Sequence, residues 1–143
     1  MAGRDDLSPL EQYANFKRAV ETYQHYLQIG NFIGAYVIAF SMLEDRVNVM
    51  YATRYQLQEK RSLSLPQLHM TTFSRKVIYL LKQGYITSVE RADWLKCATD
   101  RNRKLHSAMW NLDEFTRADA ETVLQHVRAA DRLRKAQKRQ AGR

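Results

Sequence analysis

The sequence has almost no cysteine. Cys97 stands alone, and a single thiol builds neither an internal disulfide nor a cysteine-rich metal site, so a reducing, cytoplasmic setting is expected. Long apolar runs are missing as well. The longest, Phe32 to Leu43, runs directly into Glu44, Asp45 and Arg46 and falls short of the roughly 20 residues that cross a bilayer. The opening MAGRDDLSP has no hydrophobic signal core, so neither a membrane partner nor an export role is expected. There is no glycine-rich phosphate loop, no internal repeat, no low-complexity linker and no sustained strand alternation. His25, His69 and His126 share no spacing that would assemble a metal site, and no metal or other cofactor is expected.

What is present is a chain of 143 residues, 45% hydrophobic, which suits one domain over 1–143 with a single core. Lys and Arg number 23 against 15 Asp and Glu, a formal net charge of +8. Such an excess favours a polyanionic partner, most often nucleic acid. Much of it lies in RAADRLRKAQKRQAGR, and from about residue 134 this reads as a basic, flexible tail.

The periodicity is helical throughout. Ser8, Pro9 and Glu11 open a first helix that carries Tyr13, Phe16, Val20, Tyr23 and Leu27 up to Gly30. A second helix spans about Phe32 to Gln58 with a wide apolar arc, which makes it central. KRSLSLPQLHM reads as a connection, and a third helix covers about Thr72 to Gln83 before Gly84. Thr87 and Glu90 cap a fourth, with Val89, Trp94, Leu95, Ala98, Leu105, Met109 and Leu112 inward. Thr116 caps a fifth, with Ala120, Val123, Leu124, Val127, Ala130 and Leu133 inward. The expected fold is all-α, an antiparallel up-and-down bundle of about five helices.

One stretch breaks its own pattern. In DRNRKLHSAMW the inner stripe of the fourth helix passes through 94, 98, 101, 105 and 109, so Arg101 stands where a core residue is due. Asn102 and His106 stack one turn apart beside it. The second helix has a matching anomaly: Ile33, Val37, Phe40, Glu44, Val47 and Tyr51 share a face on which Glu44 is a lone carboxylate, expensive unless paired. The expectation is that Glu44 neutralises and orients Arg101 across the two helices. Asp45, one helical step away, reads as a surface charge.

The segment RNRKLH, a helical Arg followed by a polar residue and, four positions further on, a His, resembles the signature of the HEPN superfamily of small all-helical ribonucleases. A long second helix carrying Leu43, Glu44 and Asp45 is similar to that family too, and the likeness extends over nearly the whole chain. It implies a metal-independent endoribonuclease whose site forms where two subunits of a homodimer face each other. It also implies a toxin or phage-defence setting, with a nucleotidyltransferase-type antitoxin or another regulatory protein as partner.

The residue types suit that chemistry on their own terms. Cleaving RNA without metal needs a group to take the 2′-OH proton, one to stabilise charge on phosphorus and one to hold the phosphate in line. An imidazole exchanges protons near neutral pH, which makes His106 the candidate for proton transfer. Arg101 offers a fork for phosphate oxygens, and Asn102 can orient the imidazole or hold the ribose. Arg103 and Lys104 are candidate RNA-backbone contacts, although exposed helix cations are usually just solvated. Ser107 and Trp110 border the motif, and Trp110 reads as a core or dimer contact. Two alternatives stay open: a catalytically silent HEPN-like module for dimerisation, RNA binding or partner binding, and a helical adaptor in which the four polar residues form a sealed network.

Overall fold

A computed structural model of the chain describes residues 9–107 and 115–141. Every regular element among them is a helix: α1 (Pro9–Gln28), α2 (Phe32–Glu59), α3 (Leu65–Met70), α4 (Phe73–Lys82), α5 (Ser88–Ser107) and α6 (Arg117–Ala141).

Local chemistry sets the boundaries. Gly30 and Gly84 follow α1 and α4 with φ of 75° and 76°. In each case the next amide reaches back to close the helix, Asn31 N–H to Tyr26 O at 2.8 Å and Tyr85 N–H to Leu80 O at 3.0 Å, the arrangement that a left-handed glycine permits. Asn31 then serves as the cap of α2, its Oδ1 accepting from Gly34 N–H at 2.9 Å. The Thr87–Glu90 capping box closes in both directions, at 3.3 and 3.0 Å. Thr116 does the same with Asp119, at 3.2 and 3.0 Å. Ser8, the expected cap of α1, lies outside the described residues.

The segment expected as a plain connection contains a helix. Ser64 accepts from Gln67 N–H at 3.2 Å while the Gln67 side chain accepts from Ser64 N–H at 3.1 Å, and Pro66 falls within the first two helical positions. A proline there starts a helix, because the N–H it lacks would have had no partner anyway. That makes six helices among the described residues, not five.

The up-and-down order also breaks at this point. Phe40 meets Phe73 at 5.5 Å, Lys76 reaches Asn48, and Tyr51 meets Tyr79 at 5.1 Å. Both numbers rise together, so α2 and α4 run parallel, and the 60–72 segment with α3 is a crossover between them. α6 also runs parallel to α2, since Arg46 bonds Asp131 and Gln137 bonds Met50 O, each at 3.1 Å. α2 is the central element and packs most extensively on α6.

The core gathers Trp94, Phe40, Leu43, Val47, Met50, Val77, Leu80, Val123 and Val127, all fully buried. On α2 burial is shifted from the expected stripe towards Ala35, Ala39, Met42 and Arg46. Val89 and Leu105, expected inward, are 68% and 41% exposed; Met109, Trp110 and Leu112 lie outside the described residues. The basic segment from 134 continues α6 as helix to Ala141, and Gln137 is buried with its amide on Met50 O. No described helix is long and apolar enough to cross a membrane.

Candidate functional site

Phe40, Glu44 and Asn48 are spaced four residues apart, so they form one stripe along α2. α5 approaches that stripe from one side. Arg101 lays its guanidinium 4.2 Å over the Phe40 ring and donates from Nη1 to Glu44 Oε1 at 3.1 Å. Its Nε and Nη2 donate to Asn102 Oδ1 at 3.3 and 3.1 Å. The side chains of Arg101 and Glu44 are 29% and 39% exposed, so the pair is open to water. Ion pairs of that kind add about 0–1 kcal/mol. Its effect is to orient the guanidinium rather than to hold the fold.

Arg101 therefore covers the edge of the core instead of occupying it. Asn102 and His106 are exposed, and the cluster is not sealed inside the bundle. Asn102 spends its carbonyl oxygen on Arg101; among the described residues no hydrogen bond joins it to His106. His106 stands in the last turn of α5.

α4 approaches the stripe from the other side and brings a residue that sequence reasoning missed. Lys76 is buried, 6% exposed, and donates from Nζ to Asn48 Oδ1 at 2.6 Å. Burial pushes its ammonium below the ordinary value, and the nearby charge of Glu44 partly restores it. Glu44 thus lies in the field of two cations from two helices. The available signal was modest: Asn48 is one turn beyond Glu44, and Lys76 is one turn beyond the inward Phe73.

The two flanking cations differ. Arg103 is 68% exposed and 3.4 Å from Asp100 Oδ1. Lys104 is only 13% exposed, with its ammonium 2.7 Å from Asp119 Oδ2 and 5.8 Å from the Phe115 ring centroid. It ties α5 to the start of α6. Burial alone would raise the Asp119 carboxyl, but hydrogen bonds from Lys104 and Thr116 outweigh it and hold the group below the usual carboxylate range.

Behind the site, Tyr36 donates to Cys97 O at 3.3 Å, and burial pushes the Cys97 thiol up to about 11, with Asp100 adding to the effect. A thiol in that state is a packing group, not a nucleophile. Among the described residues no group of three His, Cys, Asp or Glu is placed to hold a metal ion. The arrangement offers a guanidinium fixed by a carboxylate, an amide beside it and an accessible imidazole one turn on.

No family model matches the chain, and no curated protein or solved structure matches it either.

Proposed function

We propose that the chain is a HEPN-like, metal-independent endoribonuclease that works as a homodimer, with Arg101, Asn102 and His106 at its site and Glu44 as a positioning residue. The observation that carries this is the Arg101–Glu44 pair at 3.1 Å on a surface shared with the exposed Asn102 and His106. A polar network kept only for packing would be enclosed; this one faces solvent.

In this mechanism one imidazole takes the 2′-OH proton, the O2′–P bond forms, and the P–O5′ bond breaks as a second imidazole returns a proton to the leaving oxygen. Arg101 stabilises the charge that builds on the phosphoryl oxygens. One copy supplies one such histidine, and two copies facing each other supply both. A toxin or phage-defence role under a regulatory partner is the setting that fits such an activity.

The test is incubation of the purified protein with total RNA and a chelator, beside a folded His106→Ala variant of the same oligomeric state. Cleavage by the wild type alone supports the assignment. Equal cleavage by both removes His106 from the chemistry, and no cleavage by either favours the silent RNA-binding module.

A further inference from the structure

Because α2, α4 and α6 run parallel, their C-terminal ends meet at one end of the bundle, away from the Arg101 cluster. Arg54, Lys60, Arg61, Lys82 and Arg139 belong to that end, with Glu59 beside them and Glu90 in the first turn of α5. Cations at helix C-termini are expected from the helix dipole. The tyrosines among them are not.

Tyr51, Tyr55 and Tyr79 form a contiguous cluster, with ring centroids 5.1 to 6.5 Å apart. Arg61 donates to the Tyr55 hydroxyl at 2.8 Å and places its guanidinium 5.7 Å from that ring centroid. Arg54 does the same to Tyr85, at 2.8 Å and 4.3 Å. Tyr55, Tyr79 and Tyr85 are each half-buried. Beside them a cleft of about 310 Å³ opens between Arg54, Gln83, Tyr85 and Gln137. Among the described residues the Arg54 Nε and the Tyr79 hydroxyl are buried without hydrogen-bond partners, an arrangement that costs stability if nothing else compensates.

We infer that this tyrosine–arginine end is a second contact surface for single-stranded RNA, one that rests on the reading of the chain as an RNA-cleaving protein and names how it holds its substrate. Half-exposed aromatic rings accept stacked bases and interleaved guanidiniums take the phosphates, a combination that binds single strands with little regard to sequence. The placement suits a substrate track. Tyr55 lies on the same stripe of α2 as Glu44 and Asn48, about 16 Å beyond Glu44 at 1.5 Å per residue. A strand stacked on Tyr55 runs along the α2–α4 seam towards Arg101, so that this surface sets which phosphate reaches the motif.

The experiment is fluorescence anisotropy of a labelled twelve-nucleotide oligouridylate titrated with the His106→Ala protein, alone and combined with Tyr55→Ala, Tyr55→Phe or Arg61→Gln, over a range of salt. Tyr55→Ala is expected to weaken binding about tenfold, while Tyr55→Phe, which keeps the ring, binds like the parent. Arg61→Gln, at an exposed position that leaves folding intact, is expected to lower the salt slope by about one. Parental binding by both Tyr55→Ala and Arg61→Gln overturns the proposal, as does the absence of any binding. Competition by oligoglutamate of equal charge as strong as by the oligonucleotide also overturns it, in favour of an acidic protein surface. Binding that depends on Tyr55 in a protein that never cleaves RNA keeps this surface and sinks only the nuclease assignment; cleavage with binding indifferent to Tyr55 and Arg61 does the reverse.

Discussion

Arg46 and Arg101 have nearly the same immediate geometry and opposite roles. Each guanidinium lies 4.2 Å over a phenylalanine ring, Phe16 for one and Phe40 for the other. Each has a carboxylate oxygen at 3.1 Å, from Asp131 and Glu44 respectively. What differs is the solvent. The Arg46 side chain is 8% exposed and also bonds Asp45 at 2.8 Å, whereas Arg101 is 29% exposed with a partner at 39%. A buried charge whose partner is removed is left unsolvated, but a charge near water can change partners at little cost. Arg46 therefore binds α1, α2 and α6 together, whereas Arg101 keeps access to water and, in the proposed function, exchanges Glu44 or Asn102 for an incoming phosphate.

The largest effect expected from this contrast is in stability. Arg46→Ala should lower the unfolding free energy by about 3 kcal/mol, read from urea transitions, while Arg101→Ala stays within about 1 kcal/mol. Equal losses would erase the distinction. Acid should separate the two regions next. At Asp131 burial alone would raise the carboxyl, but hydrogen bonds from Lys135 and Arg134 and the charges of Arg134 and Arg46 hold it below its ordinary 3.8. A depressed carboxyl contributes fully above that ordinary value, and its contribution is lost as pH falls through the lower folded value. Urea midpoints followed from pH 7 down to pH 2 should show this loss in the wild type and a shallower one in Asp131→Asn. The smallest change in stability belongs to Glu44→Gln, within about 1 kcal/mol, yet RNA cleavage should fall because Arg101 loses its fixed orientation. If neither cleavage nor stability moves, Glu44 does not position Arg101.

Much of the helix plan was legible because it is written locally. The Thr87–Glu90 box, the stops at Gly30 and Gly84, and the apolar spacing of Val123 and Val127 each depend on residues within a turn or two of one another. α3 departs from the expected connection because Pro66, two residues past the cap Ser64, starts a helix instead of interrupting one. The Glu44–Arg101 meeting was legible as a double anomaly, a carboxylate and a guanidinium each interrupting an apolar face. Its openness to water was not, since exposure depends on how α4 and α5 flank α2. The burial of Arg46 left no local trace, because its partner Asp131 is 85 residues away.

That separation bears on how the chain comes into being. The central helix emerges well before α6, to which the carboxylate that partners Arg46 and the amide that covers Met50 O belong. Contacts so distant in sequence form only after a long loop has closed. A growing chain that has reached residue 107 thus carries the complete RNRKLH motif on a scaffold still lacking its largest helix interface, and the domain closes as a unit only when synthesis has passed α6.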